Sequence, residues 1–215
     1  FDIIRKGDYV LDIGCHPGGW TQVAVEEVGE DGYVIGVDLL STSPVEGATN
    51  IIGDITNPKT VEQINQELEG YYLNCVISDI SPRLTGRYDT DQAISLELST
   101  MVLDAAMPIL NPGGSFVTKI FQGVGIEGLI EAAKMRFSSV QRFAPTASRS
   151  SSSETYLVCR NKLPKIRKEA EGRTAYEHLK DHLKKLDIVV DYEEEKDNTD
   201  TIIGYRKYIG RKNVE

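Results

Sequence analysis

The sequence predicts an α/β fold built on a mainly parallel, doubly wound sheet, and three observations predict it. Apolar runs of strand length alternate with helical patterns over most of the chain. The first run closes on a glycine-rich turn, Asp12-Ile13-Gly14-Cys15-His16-Pro17-Gly18-Gly19-Trp20, which leads into a helical pattern. Later runs close on acidic residues: Gly36-Val37-Asp38, Gly53-Asp54-Ile55 and Ser78-Asp79-Ile80. In open α/β sheets, ligands sit at the carboxyl ends of the strands.

The elements follow in order. Strands are expected at Val10–Ile13, Val34–Val37, Asn50–Ile52, Leu73–Ser78, Ser115–Ile120, Val140–Phe143 and Thr155–Cys159. Helices are expected near 19–28, 58–68, 91–110 and 126–137. Asn111-Pro112-Gly113-Gly114 stops the longest helix and turns the chain into the next strand. Tyr176, Leu179, Leu183 and Leu186 recur at helical spacing and predict an amphipathic helix over 174–186, with the stripe as its packing face. There is no internal repeat.

The chain has 215 residues, room for one ordinary domain and an appendage. No apolar run is long enough to span a membrane, and no signal-peptide pattern is visible. Cys15, Cys75 and Cys159 are odd in number and widely spaced, which points to a reducing, cytoplasmic location and to neither a disulfide framework nor a metal site. Net charge is −9, unevenly spread. Residues 1–160 carry 11 Lys and Arg against 21 Asp and Glu, and residues 161–215 carry 13 against 12. The expected division is therefore a 1–160 core and a charged 161–215 extension, with a monomer as the expected state. In the extension, Tyr205 to Lys212 interleaves aromatic and basic residues, a composition suited to RNA or to a solvated edge strand. Ser148 to Ser153, directly before Glu154, is a candidate substrate loop.

The glycine turn is not the GxGxxG that brings a pyrophosphate to a helix N-terminus. A carboxylate, Asp12, stands at the strand end, and Pro17 stiffens the loop. Asp12 would repel a pyrophosphate and suit a cationic ligand. Asp38 lies 20 residues beyond Gly18, the offset at which a carboxylate reaches ribose hydroxyls. S-adenosylmethionine fits both demands, having an adenosine, a sulfonium and no phosphate. The remaining anomaly is Lys119, inside the apolar strand Phe116-Val117-Thr118-Lys119-Ile120. Burying a lysine is costly unless it is paired. With Asp79 and Glu154 at neighbouring strand ends it reads as a paired, pKa-tuned group, and burial together with a further lysine nearby is expected to lower its pKa. Arg83, Arg87, Lys134, Arg136, Arg142 and Arg149 are core cations that could ring the strand ends.

These motifs resemble the FtsJ/RrmJ-type ribose 2′-O-methyltransferases. DIGCHPGGW, GVDLL, GDIT, SDISP, LNPGGSF, TKIFQG and SRSSSSETYLV occur in the family's order over about residues 4–160. The resemblance implies a Rossmann-like, S-adenosylmethionine-dependent methyltransferase fold and a Lys-Asp-Lys-Glu catalytic set. Asp79, Lys119 and Glu154 match three members of that set. The first lysine belongs to a basic segment expected upstream of Phe1, and Lys6 does not match it. The resemblance also implies cofactor contacts at Gly18, Trp20, Asp38, Asp54 and Asp79, with Asp12, Gly14, Pro17, Leu39 and Ile55 around them. Its implied substrate is a uridine ribose of large-subunit ribosomal RNA. A tRNA anticodon-loop ribose and a non-catalytic RNA-binding assembly factor are the alternatives.

Overall fold

A computed structural model describes residues 2–144, 154–192 and 206–209. Seven strands form one sheet: β1 Tyr9–Ile13, β2 Tyr33–Asp38, β3 Ala48–Ile52, β4 Leu73–Ser78, β5 Leu110–Phe121, β6 Phe137–Phe143 and β7 Glu154–Lys162. Their order is β3-β2-β1-β4-β5-β7-β6. β1 to β5 pair in parallel, and β7 is antiparallel to both β5 and β6. The chain runs outward from β1 to β3 and then crosses back to β4. That reversal opens a crevice at the carboxyl ends of β1 and β4, between the glycine turn and Asp79.

The helices are α1 Gly19–Val28, α2 Pro58–Glu67, α3 Tyr88–Ala106, α4 Ile126–Lys134 and α5 Ala175–Lys185. On one face, Leu11, Ile35, Val76 and Phe116 pack with Ile64 of α2, Leu103 of α3, Leu129 of α4 and Leu179 of α5. On the other, Val10, Val34, Cys75 and Val117 pack with Ala24 and Val28 of α1. Strand alternation supplies both faces at once.

Several boundaries differ from the expected ones, four of them for a local reason. Asn111 to Gly114 does not precede β5 but lies within it, as an irregularity where the register with β4 shifts between Leu73 and Cys75. Gly113 takes the positive φ this needs. The helix stops earlier instead, at Ala106, two residues before Pro108. β6 begins at Phe137, not Val140, because Phe137 already pairs with Lys162, and α4 ends at Lys134 to allow it.

Beyond β7 the chain stays on the sheet's larger core. Thr174 and Glu177 form a capping box for α5, and Asp104 of α3 accepts hydrogen bonds from Ala175 N at 2.6 Å and Tyr176 N at 2.9 Å. Arg136, 2 % exposed, donates to Ala132 O at 2.8 Å and Arg173 O at 2.7 Å. Gly128 of α4 permits the close approach, since a Cβ there would stand 2.9 Å from the Cβ of His182. Leu179, Leu183 and Ile188 are buried in the same core as the sheet. Val189–Tyr192 and Arg206–Ile209 form a separate antiparallel pair, β8 and β9. Tyr205 and residues 210–212 of the aromatic-basic cluster lie outside the described residues, as do Ser148 to Ser153 and Arg149.

Because α5 fills the same core as the sheet, Leu179→Ala is expected to cost about 2–4 kcal/mol. Urea unfolding checks this. The loss should appear as a shift of one common transition seen by both far-ultraviolet dichroism and Trp20 fluorescence, not as a separate early step.

Candidate active site

Sheet order brings the three expected catalytic side chains together. Asp79 follows the end of β4, Lys119 lies two residues before the end of β5, and Glu154 opens β7 opposite Phe121. Lys119 Nζ stands 2.6 Å from Asp79 Oδ1 and 3.6 Å from Glu154 Oε1. The lysine is 9 % exposed. α3 fixes the strand that carries it: Ser99 Oγ donates to Lys119 O at 3.0 Å, and Phe121 N donates to Ser95 Oγ at 3.2 Å. Both serines are buried.

The expected lowering of the Lys119 pKa is corrected by this geometry. Burial does pull it down, but the hydrogen bond and charge of Asp79, with Glu154 and Tyr156 behind them, outweigh burial and hold the pKa above the ordinary lysine value. The expected lowering counted burial and a further lysine that is not in this chain, and spacing gave no measure of how close the two carboxylates come. Tyr156, which pairs with Lys119 across β5 and β7, is itself raised by burial and by Asp79 and Glu154. It packs at 5.8 Å against Trp20. That contact joins the glycine turn to the lysine.

On the other side of the crevice the glycine turn is tightly built. Gly14 has φ +77°, and a Cβ there would stand 3.0 Å from the Cα of Ile80. Gly18, φ +116°, occupies the N-cap of α1. Pro17 lies exposed between them. Asp38 accepts His16 N at 3.0 Å and Leu40 N at 2.8 Å, one bond on each oxygen. A carboxylate has about four acceptor sites, so each oxygen keeps capacity for a hydroxyl. Asp54 spends one oxygen on Thr56 N and Oγ1 at 2.8 and 2.7 Å and is half-buried. Leu39 is exposed beside this edge, while Ile55 is buried. The donor set fits a ligand with hydroxyls and an apolar ring, consistent with the residue types predicted.

Asp12 is a correction of another kind. It has no exposed surface and accepts Thr21 Oγ1 at 2.7 Å. Its Oδ2 thus braces the first turn of α1, while its Oδ1, equally buried, has no hydrogen-bond partner among the described residues. Among the expected cations, Arg83, Arg87 and Arg142 are exposed at the carboxyl edge of the sheet. Arg136 is buried against α5, and Lys134, at the last residue of α4, stands at the opposite edge. Neither rings the site. Lys6 also lies away from it, donating to Glu26 O at 2.9 Å. The sequence reading missed Thr21, Ser95, Ser99 and Asp91. The last three are polar residues on the buried face of α3, a signal visible only once that face is known.

Over most of its length the chain is similar to known proteins. Residues 1–162 match the family described as FtsJ-like methyltransferase. The protein named ribosomal RNA large subunit methyltransferase E of Methanothrix thermoacetophila is 48 % identical over 158 residues, covering 74 % of this chain and 61 % of the relative. The protein of the same name from Francisella philomiragia is 37 % identical, covering 74 % of this chain and 77 % of its own length. The chain thus spans about three-fifths of the first of these relatives. Among solved structures, a Plasmodium falciparum protein assigned as a ribosomal RNA methyltransferase superposes with a TM-score of 0.66 at 26 % identity, over 74 % of this chain and 88 % of that one.

Asp12 generates a stability prediction. Burial raises its pKa from 3.8 to about 6, against the opposing hydrogen bond from Thr21. A raised carboxyl favours the fold in its neutral form, so its contribution is present below pH ~3.8 and lost as pH rises through about 6. The Asp12→Asn protein should keep the Thr21 bond and lose that decline. At pH 8 it should be more stable than the parent by up to about 3 kcal/mol. Urea unfolding at pH 4, 6 and 8 checks it.

Proposed function

The chain belongs to the FtsJ-like methyltransferase family, and we propose that it carries the catalytic domain of an S-adenosylmethionine-dependent enzyme that methylates a ribose 2′-hydroxyl in RNA. The observation that carries this reading is the pairing of Lys119 with Asp79 and, more loosely, with Glu154 at the switch point of the sheet, beside a glycine turn that lacks the GxGxxG pattern. The relatives named for ribosomal RNA of the large subunit support that RNA as substrate, with a uridine ribose as the target. A cytoplasmic location and a monomeric state complete the reading.

S-adenosylmethionine, when bound, supplies a methyl group already activated by a sulfonium. Asp38 would hold the ribose hydroxyls of its adenosine, Gly14 and Gly18 would let backbone approach it, and Leu39, Asp54 and Ile55 would border the adenine. Trp20 and Tyr156 would close the space toward the reacting end. What remains for the side chains is to align the target hydroxyl and to accept its proton. Lys119, as an ammonium locked on Asp79, donates to the hydroxyl oxygen and orients it. To accept the proton it must first lose its own. Glu154 opposes that loss, and a second cation beside the set would favour it through like-charge repulsion. The family's upstream lysine would be such a cation.

Mass mapping of RNA after incubation of the full-length protein with labelled cofactor tests the proposal. The label should appear on a ribose of large-subunit RNA, and label confined to bulk tRNA would overturn the substrate. Lys119→Ala should reduce transfer at least about 100-fold while calorimetry shows cofactor affinity unchanged. Asp38→Ala should do the converse at the cofactor, weakening binding by about 1–3 kcal/mol. The rate should climb with pH through the neutral and alkaline range, because Lys119 holds its proton there. Glu154→Gln removes one of the charges that keeps the proton on, so the rise should move to lower pH.

A further inference from the structure

Between Asp79 and α3 runs a loop, residues 80–87, whose construction is not explained by catalysis. Asp91, in the first turn of α3, is 5 % exposed. Its carboxylate accepts Thr85 N at 2.8 Å, Thr85 Oγ1 at 2.7 Å and Gly86 N at 3.2 Å. Thr85 Oγ1 in turn accepts Arg87 N at 3.2 Å. These bonds hold the Asp91 pKa below its ordinary value, chiefly the one from the Thr85 backbone. Pro82 is buried. Tyr88 Oη donates to Gln122 O, which ties the end of the loop to the chain three residues past Lys119.

A loop fixed at three points would be expected to bury something. Instead it displays Arg83, Leu84, Arg87 and Tyr88 in solvent, with Leu84 68 % and Tyr88 50 % exposed. A large apolar side chain between two arginines has no folding use outside. On RNA it has one: guanidinium groups pair with phosphates, and apolar or aromatic faces pack on bases. Placement is set by chain length. Arg83 lies four residues beyond Asp79, so the backbone separating them spans at most about 14 Å, a few nucleotides of RNA. Asp89, exposed in the same first turn of α3, is the acid nearest in sequence.

We propose that residues 83–88 form a preorganised clamp for the RNA backbone beside the target ribose, and that Asp91 is its positioning residue. The clamp rests on the reading of the substrate as RNA. Asp91 touches no substrate and acts by holding Thr85 and Gly86, so that Arg83 and Arg87 meet phosphates without first being ordered.

The test uses the full-length protein and a large-subunit RNA fragment, with RNA affinity measured against salt concentration and kinetics measured separately. The double variant Arg83→Ala/Arg87→Ala changes only exposed side chains. It should weaken RNA binding about tenfold and flatten the slope of log affinity against log salt by about 1.4–1.8, the loss of two phosphate contacts. Asp91→Ala should raise KM for RNA by a comparable factor, with kcat changed less than about twofold and cofactor affinity unchanged. Adding it to the double variant should cost little more, since it works through the arginines. Asp91→Asn, which keeps an acceptor for Thr85, should recover part of the loss. If the double variant binds RNA with unchanged affinity and salt slope, the clamp is wrong even though the enzyme still methylates RNA. If Asp91→Ala lowers kcat and leaves KM alone, its positioning role is wrong. If the parent protein methylates no RNA and binds none, the failure belongs to the substrate reading and takes the clamp with it. If it binds RNA without methylating it, a loss of affinity in the double variant still supports the clamp.

Discussion

A lysine almost sealed inside a β-sheet is the constraint around which this molecule is arranged. Removing an ammonium from water costs several kcal/mol unless partners replace the water. Lys119 has Asp79 at 2.6 Å and Glu154 at 3.6 Å. Those partners are 40 and 35 positions away in sequence, so only the sheet can deliver them. The parallel pairing of β4 with β5 and the antiparallel return of β7 place three strand ends side by side. The buried serines of α3 hold the backbone at Lys119 and Phe121 against slippage. A register shift of one residue would turn Lys119 to the other face and leave an unpaired charge in the core.

The same logic extends to the helices at the back of the sheet. α3 supplies Ser95 and Ser99 to the site strand and Asp104 to the N-terminus of α5. Arg136 braces the join by donating to a carbonyl of α4 and to one just before α5. One helix therefore links the strand of Lys119 to the docked C-terminal helix. A polar join is also a specific one, because sliding α5 along the apolar face would strand Asp104 and Arg136 without their partners.

Much of this was legible in the sequence because it rests on short-range signals. The glycine turn, the acidic strand ends and the alternation of elements are local patterns, and the strand with Lys119 announced itself by breaking its own apolar run. What was not legible depends on distance. The sign of the Lys119 shift turns on how near two remote carboxylates come, which no spacing gives. Asp12 read as a charge offered to a ligand because sequence shows a residue type and not its exposure. Arg136 read as a cation ringing the strand ends for the same reason. Asn111 to Gly114 has the composition of a turn, yet the pairing of Leu110 with Leu73 and of Ser115 with Cys75 carries the strand past it as an irregularity. Tertiary pairing overrode local preference there.

Net charge misleads in both directions. Burial withdraws charges of each sign, Asp12 and Asp91 among the acids and Lys119 and Arg136 among the bases. What a ligand meets is set by position within a screening length of about 8 Å. The carboxyl edge of the sheet is divided. Over β1 to β3 stand Asp38 and Asp54, half-buried carboxylates already held by backbone donors. Over β4 to β6 stand Arg83, Arg87 and Arg142, exposed. Glu154, between β5 and β6, breaks the pattern at the strand ends, and Lys59, Asp89 and Glu127 break it in the first turns of helices. A cationic cofactor suits the first half and a polyanion the second. Asp79 and Lys119 lie on the line between them, paired with each other. On the proposed reading, the methyl donor and the RNA are sorted to opposite sides by charge, and they meet where Lys119 is bonded to Asp79 and Glu154.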